Sequence, residues 1–370
     1  METMIAWLKK EKVLLIALAL ALLSTLLTPP DAGYLDYIDL RTLALLFCLM
    51  LLVKGFQGVG LFDWLIGKAF GRVKDLRRLC LVLVLLCFFT SMVITNDVAL
   101  ITFVPFAMLA LQLCHQEKHI ILVVVLQTIA ANLGSMATPI GNPQNLYLFS
   151  MSGMPIGMFF ATMLPLAALS LALILLAALA FPREPIRMAL PEHESAMPRR
   201  ELLAYMALFL LNLLVVFRVL DWSVALILTV AGVLLLRRAP LLKQVDWALL
   251  LTFVGFFVFV GNLGRVEAIS AWLQRAMTGR EVLLSALMSQ ALSNVPASLL
   301  LSGFTENYAS LMAGVNIGGL GTLIASMASL ISYKFYAARP DARRGRYLMV
   351  FTLYNIAGLI ILLAFQLLIG

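Results

Sequence analysis

The sequence predicts an all-α polytopic membrane protein built from two inverted repeats, each with a re-entrant hairpin and an interrupted helix. Two observations carry this prediction. The first is composition: 62% of the 370 residues are hydrophobic and 12% are charged, whereas a soluble domain is about one quarter charged. The second is a set of polar motifs that occurs once in each half of the chain, inside apolar segments.

The composition also argues against other classes of protein. The net charge of +8 comes from Lys and Arg in short loops between apolar runs, which is typical of positive-inside topology, so nucleic-acid binding is not expected. The four cysteines lack metal-ligand spacing. The apolar run after Lys12 has no small-residue cleavage site, and it is interpreted as a retained first span.

Nine apolar runs are predicted to cross the membrane, because each has about the 20 residues that a span needs once flanking residues are included. They are Val13–Thr28, Leu40–Val53, His119–Thr138, Pro155–Phe181, Leu202–Phe217, Ser223–Leu236, Trp247–Gly261, Tyr308–Tyr333 and Tyr347–Ile369.

Two further apolar stretches are interrupted by polar residues. Leu79–Cys114 contains Thr95-Asn96-Asp97, and Val282–Gly303 contains Ser293-Asn294-Val295-Pro296. The arms of the second stretch are too short to cross about 30 Å at 1.5 Å per residue, which predicts a re-entrant hairpin. The alternative is one span kinked at Pro296.

Loop charges set the predicted orientation. The chain is expected in a bacterial inner membrane. Lys9, Lys10 and Lys12 place its N-terminus on the cytoplasmic side, and the acidic loop Pro29–Asp39 lies outside. If both hairpins return to their own side, the dense basic loops all fall inside. Nine crossings then place the C-terminus, Gly370, outside.

The two halves share polar residues at one spacing. Asn132, Gly134 and Thr138 align with Asn316, Gly318 and Thr322, and Ser91-x-x-x-Thr95-Asn96 aligns with Ser289-x-x-x-Ser293-Asn294. The orientation above inverts the second half relative to the first. The predicted organisation is a first repeat (1–181, hairpin 79–114, broken helix 119–150), a cytoplasmic linker (182–201) and a second repeat (202–370, hairpin 282–303, broken helix 308–336).

The hairpin tips are the predicted ion sites. Interrupted helices free backbone carbonyls that, with Ser, Thr and Asn oxygens, suit Na⁺. The candidate Na⁺ ligands are Ser91, Thr95 and Asn96 in one tip and Ser289, Ser293 and Asn294 in the other. The competing interpretation is that these residues only cap the second arm of each hairpin.

Asp97 is the one clear acid inside an apolar hairpin. A carboxylate within the membrane is costly, which marks an ion or proton site. A further candidate segment runs from Gly134 to Asn145, where proline and glycine break a helix within its span. The remaining predicted substrate or ion-binding residues are Asn132, Gly134, Thr138, Pro139, Gly141, Asn142, Pro143 and Asn145 in the first half, and Pro296, Asn316, Gly318, Gly321 and Thr322 in the second.

These motifs resemble the ion transporter superfamily of arsenite permeases, sodium/proton antiporters and sodium-coupled dicarboxylate and citrate carriers. Thr95-Asn96-Asp97 and Ser293-Asn294-Val295-Pro296 are most similar to the arsenite branch, and Thr138-Pro139-Ile140-Gly141-Asn142-Pro143 is similar to a Thr-Pro-Pro-Asn segment of the superfamily. In the dicarboxylate carriers a threonine follows the Asn at both tips. Asp97 and Val295 stand there instead, which favours a neutral or weakly charged oxyanion, or a cation, over a dianion.

The leading functional hypothesis is a secondary active transporter of a small anion or oxyanion coupled to Na⁺ or H⁺. A Na⁺/H⁺ antiporter of the same fold is the alternative, and an intramembrane enzyme or a membrane scaffold subunit represents a different class. The one histidine in a predicted span, His119, is its first residue, and catalysis would need a nucleophile–base pair or a metal cluster at membrane depth. The expected partners are the substrate and the lipid bilayer, with a homodimer left open and Na⁺ as the one candidate cofactor.

Overall fold

The computed structural model describes residues 11–70, 73–186 and 198–369, and within these ranges the chain folds into α-helices joined by short turns. The first half contains α1 (Lys12–Ser24), α2 (Leu40–Gly58), α3 (Leu61–Phe70), α4 (Leu76–Ile94), α5 (Asn96–Leu113), α6 (Ile120–Ser135), α7 (Pro143–Ser152) and α8 (Ile156–Ala178). The second half contains α9 (Arg199–Val216), α10 (Trp222–Leu235), α11 (Trp247–Arg265), α12 (Glu267–Met277), α13 (Glu281–Leu292), α14 (Asn294–Ser302), α15 (Tyr308–Ile317), α16 (Met327–Ala337) and α17 (Arg344–Ile369). Three 3₁₀ turns lie at Ala32–Tyr37, Glu117–His119 and Ala239–Gln244.

The outer surface of the helices is apolar. Leu26, Leu235 and Leu368 are each more than 80% exposed. Seven helices of the described chain are long and apolar enough to cross a membrane: α2, α4, α5, α8, α11, α17 and the helix formed by Glu117–His119 with α6. Such a surface is stable in lipid rather than water, which confirms the prediction of a polytopic all-α membrane protein.

The helices occur in the same order in both halves. Each half has a long helix capped by Asp39 or Asp246, then a short helix, a hairpin, a broken helix and a last apolar helix. The Asp39 carboxylate accepts from the Thr42 N–H at 3.0 Å, and the Asp246 carboxylate accepts from the Leu249 N–H at 2.9 Å. The sequence motifs that align therefore also fall on matching elements.

The two hairpins differ in length. The arms of the second, α13 and α14, have 12 and 9 residues, or about 18 and 14 Å, too short to span a bilayer. The arms of the first, α4 and α5, have 19 and 18 residues, and each is long enough for a span. The length of these arms alone therefore does not decide whether the first hairpin is re-entrant.

Both predicted interrupted helices are broken. α6 ends at Ser135 and α7 begins at Pro143, with Pro139 and Gly141 in the gap. α15 ends at Ile317, and α16 begins at Met327 after a turn in which Gly321 has φ +104°. Pro139 cannot donate to a helical ladder, and only glycine readily adopts the conformation of Gly321.

The halves interlock through these elements. α5 of the first hairpin packs on α16, and α14 of the second hairpin packs on α7. In the same way α6 packs on α17 and α15 packs on α8. Because each half packs on the other in this reciprocal manner, both hairpin tips and both helix breaks lie at the centre of the molecule.

Parts of the predicted topology lie outside the described residues: Lys9, Lys10, residues 187–197 of the linker and the C-terminal Gly370. Among the predicted spans, Val13–Thr28 forms the 13-residue α1, and Ser223–Leu236 forms the 14-residue α10. The span predicted at Tyr308–Tyr333 is split into α15 and α16.

Candidate functional site

The two hairpin tips share an unusual backbone conformation. Thr95 has φ 71° and ψ 151°, and Ser293 has φ 77° and ψ 153°. Residues other than glycine seldom occupy this region, and strain of this kind clusters at functional sites. Neither side chain forms the capping hydrogen bond that the competing interpretation of the hairpin tips requires. The capping interpretation therefore fails for Thr95 and Ser293.

Each tip docks on the break of its own half through two matching hydrogen bonds. The Asn96 N–H donates to the Gly141 carbonyl at 3.2 Å, and the Asn294 N–H donates to the Ala325 carbonyl at 2.9 Å. The Thr138 hydroxyl donates to the Met92 carbonyl. Correspondingly, the Thr322 hydroxyl donates to the Gln290 carbonyl at 3.0 Å. These bonds place both tips at the depth of the helix breaks.

Glycine allows this close approach. A Cβ on Gly134 would lie 2.1 Å from the Phe88 carbonyl oxygen, and a Cβ on Gly318 would lie 2.7 Å from Ala286 Cα. Both distances are shorter than van der Waals contact, and the neighbouring atoms are backbone. The aligned glycines therefore serve packing between each hairpin and its broken helix.

Hydrogen bonds across the halves join the two breaks. The Asn142 amide donates to Asn316 Oδ1 at 3.0 Å, and the Ser326 hydroxyl donates to Asn132 Oδ1 at 2.9 Å. The Asn316 amide donates in turn to Asn145 Oδ1 at 2.6 Å. All of these groups are buried. A buried polar group is costly to leave unpaired, so this network fixes the breaks against each other.

The tips and breaks border one cavity, and helices begin all around it. Its lining includes the first residues or N-cap residues of α1, α5, α7, α11, α14 and α16. The lining residues are Glu11, Val13, Leu14, Asn96, Asp97, Pro143, Gln144, Asp246, Ala248, Leu249, Thr252, Asn294, Val295, Pro296, Ser326 and Met327. The first N–H groups of a helix have no intrahelical partner and carry positive potential. These helix ends therefore bring positive potential to the cavity.

Asp97 faces this cavity and an adjoining one that also reaches Thr95, Asn142 and Lys54. Asp97 is partly exposed. It forms none of the hydrogen bonds or ion pairs found in the part of the chain that the structure describes. A carboxylate in this position is free to bind a proton or a cation.

The structure divides the predicted site residues into two groups. Thr95, Asn96, Asp97, Asn142, Pro143, Asn294 and Pro296 line the two cavities. The others lie behind this lining, in the tips and breaks: Ser91, Asn132, Gly134, Thr138, Pro139, Gly141, Asn145, Ser289, Ser293, Asn316, Gly318, Gly321 and Thr322. The hydroxyls of Ser91 and Ser289 donate to carbonyls of their own helices, at 2.9 and 2.7 Å.

Several lining residues were not among the predicted site residues. Glu11 and Asp246 add two carboxylates, and Thr252 and Gln144 add neutral polar groups. Gln144 Oε1 is buried and has no hydrogen-bond partner among the described residues. Gln144 stands inside the proline-rich break and Asp246 aligns with Asp39, so the sequence carried a signal for both. It carried none for Glu11 or Thr252.

Taken together, the broken helices, the docked tips and the central polar cavity define a membrane transporter rather than an enzyme. Comparison with known proteins agrees: the family model described as "Citrate transporter" matches residues 3–329. The chain therefore belongs to the citrate transporter family, within the ion transporter superfamily that its motifs resemble. The arsenite branch is not singled out.

Individual relatives include proteins named as a transporter or as a membrane protein. The chain is 31% identical over 347 residues to an uncharacterized transporter of Methanocaldococcus jannaschii, covering 94% of each chain. It is 35% identical over 302 residues to the inner membrane protein YbiR of Escherichia coli, covering 80% of each. A shorter match, 31% over 136 residues, is to the human P protein, of which it covers 16%.

Proposed function

We propose that this protein is a secondary active transporter that carries a small anion together with H⁺ or Na⁺ through the cavity between the two tips. The observation that carries this proposal is the convergence of six helix N-termini on that cavity. Helix N-termini bind anions because their free N–H groups and dipoles favour negative charge.

The carboxylates supply a reason for coupling. Each helix N-terminus acts as roughly half a positive charge, so six N-termini and the carboxylates of Glu11, Asp97 and Asp246 nearly balance. A proton or cation taken up at Asp97 makes the cavity net positive, and the affinity for an anion rises. Binding of the ion and of the anion are then mutually reinforcing.

The substrate class follows from the neutral polar lining. Asn96, Gln144, Thr252 and Asn294 present amide and hydroxyl groups to the cavity, which suit carboxylate or oxyanion oxygens. The family's description makes citrate the first candidate. A smaller or less charged oxyanion is the second, because three carboxylates disfavour a highly charged anion that arrives without its ions.

The alternative of a Na⁺/H⁺ antiporter is favoured by one observation. Among the described residues, no lysine or arginine lines the cavity that Asp97 shares with Gln144 and Asn294. Exchange of Na⁺ for H⁺ at Asp97 would then need no anion.

We further propose that the halves are inverted repeats in a bacterial inner membrane, with the N-terminus cytoplasmic and the C-terminus outside. The cavities are flanked by Lys54 and Gln244, which adjoin loops that the basic residues assign to the cytoplasm. On this orientation the cavities lie towards the cytoplasmic side of the protein.

Reconstitution tests the function. Purified protein in liposomes is given labelled citrate, succinate, phosphate, sulfate or arsenite, with an imposed H⁺ gradient, an imposed Na⁺ gradient or neither. Gradient-dependent accumulation of at least one anion, absent from empty liposomes, is expected. Na⁺-driven proton movement without anion uptake would identify the antiporter instead. No movement of any of these ions by protein with its native melting transition would contradict both.

A further inference from the structure

The two tips match in backbone but differ in their free polar atoms. Asn96 Oδ1 is buried and has no hydrogen-bond partner among the described residues. The equivalent Asn294 Oδ1 accepts from the Val295 N–H at 2.9 Å and from the Ser293 hydroxyl at 3.4 Å. A buried acceptor without a donor is costly, so the first tip favours a bound proton donor or cation and the second does not.

The charge of the tips differs in the same sense. Asp97, whose carboxylate has no partner among the described residues, follows Asn96, and the apolar Val295 follows Asn294. A cation bound beside Asp97 would be neutralised by it. The side chain of Val295 supplies no such counter-charge at the second tip.

A side chain already occupies the carbonyl cluster of the second half. Gln290 Nε2 lies 3.0 Å from the Ala286 carbonyl oxygen, 2.8 Å from that of Gly318 and 3.0 Å from that of Leu320. Two N–H groups thus serve three carbonyl oxygens of the kind that coordinate Na⁺ in broken helices. While this amide is present, an ion cannot approach the same oxygens.

The break is shaped around this amide. Gln290 Oε1 accepts from the Thr322 N–H at 2.9 Å. A Cβ on Gly321 would lie 2.2 Å from Gln290 Oε1. In the first half the residue after Ser91 is Met92, which has no N–H in its side chain.

We infer that ion coupling is confined to the first tip: Asp97 and Asn96 Oδ1 take up the coupling ion, whereas the Gln290 amide stands in the second half where a second ion would bind. This inference rests on the proposed function and adds the location and number of its ion sites. It replaces the symmetric pair of Na⁺ sites expected from the sequence with a single site.

The first test measures melting temperature in detergent, which needs no transported substrate. Wild type, Asp97→Asn and Ser293→Ala are compared in NaCl or choline chloride at constant ionic strength, at about pH 6 and pH 8. The difference in melting temperature between wild type and Asp97→Asn should change with Na⁺, with pH or with both, by about 2–4 °C. The corresponding difference for Ser293→Ala should stay constant.

Two results would overturn the inference. One is a constant difference for Asp97→Asn under every condition. The other is an equal Na⁺ or pH dependence in Ser293→Ala. A response to Na⁺ identifies a cation at the first tip, and a response to pH alone identifies a proton.

The second test replaces the amide by a carboxylate. Gln290→Glu places a negative charge among three carbonyl oxygens and should gain a stabilisation by Na⁺ of about 2–4 °C that the wild type lacks at this position. Gln274→Glu, an exposed position on α12, is the matched control and should gain nothing. If Na⁺ stabilises Gln290→Glu no more than it stabilises Gln274→Glu, the amide does not stand in for a cation. If transport fails while these melting results hold, only the proposed function is lost.

Discussion

Asn142 and Asn316, 174 residues apart in the chain, are joined by a buried hydrogen bond of 3.0 Å between the two helix breaks. Asn142 also accepts from the Asn145 N–H at 2.8 Å and so begins α7. One side chain therefore both starts a helix at the cavity and holds the two halves together.

Asn142→Ala should lower stability by about 1–3 kcal/mol, because it leaves Asn316 Oδ1 and the Asn145 N–H without their partner. Transport should fall more than stability predicts, since the start of α7 lines the cavity. Asn142→Ser retains a side-chain oxygen that can cap α7, and it should keep most of the stability. Melting temperature and uptake at matched expression measure both effects. Equal behaviour of the Ala and Ser variants would show that the oxygen is unimportant.

Gly134→Ala should disrupt the contact between the first hairpin and α6. The added methyl group would lie 2.1 Å from the Phe88 carbonyl oxygen, so one backbone segment must move. Loss of several degrees in melting temperature and at least a tenfold loss of uptake are expected. Gly67→Ala is the control, because a Cβ there has no neighbour within 4 Å and alanine favours a helix. Normal stability and uptake in Gly134→Ala would refute the close packing.

Tyr147 connects α7 to α14 and α11. Its hydroxyl lies 2.8 Å from the Ser302 hydroxyl, and its ring packs against Phe253 and Phe257. Tyr147 lines a separate depression with Asp36 and Arg41, whereas the preceding Leu146 lines the central cavity. Successive residues of α7 therefore line two different cavities.

Tyr147→Phe and Ser302→Ala should each cost about 1 kcal/mol of stability, and the double variant should cost less than their sum, because the second change removes an already unpaired group. Tyr354→Phe serves as a control and should be neutral, because the Tyr354 hydroxyl forms no hydrogen bond within the part of the chain that the structure describes. Additive changes in stability across this double-mutant cycle, measured by melting temperature, would show that the two hydroxyls do not interact.

The orientation of the hairpins is testable by labelling. Single cysteines at Gln116, after the first hairpin, and at Glu306, after the second, should react with a membrane-impermeant maleimide from opposite faces, with Gln116 cytoplasmic. The background should carry Cys114→Ser, since Cys114 is partly exposed while Cys48, Cys80 and Cys87 are buried. Labelling of both positions from one face would contradict inverted repeats.

The sequence predicted the centre of the molecule better than its edges. Asn132, Gly134 and Thr138 recur at the spacing of Asn316, Gly318 and Thr322, and the aligned residues play matching parts in the structure. Polar residues and glycines are rare inside apolar segments, so their repetition is informative. The apolar runs predicted where helices occur but not where they end. The arms of the first hairpin, α4 and α5, are each long enough to span a membrane, whereas the arms of the second, α13 and α14, are not.

Contacts between distant segments could not be predicted. The bond from Ser326 to Asn132 spans 194 residues, and neither Ser326 nor Gln290 belongs to a motif that differs from an ordinary helix end. The carboxylates of Glu11 and Asp246 reach the cavity only because α1 packs along α11. Tertiary packing alone brings these side chains to the site.

Asp97→Asn provides the most direct test of coupled transport through this cavity. The change keeps the size of the side chain and removes its charge and its titratable proton, and Asp63→Asn on the exposed surface of α3 is the matched control. Both variants are reconstituted at equal protein density, and accumulation of the anion identified for the wild type is measured under an imposed H⁺ or Na⁺ gradient. Gradient-driven accumulation should fall at least tenfold in Asp97→Asn and stay at the wild-type level in Asp63→Asn. Equal accumulation by Asp97→Asn and wild type, with the same dependence on pH and Na⁺, would contradict the role of Asp97 in coupling.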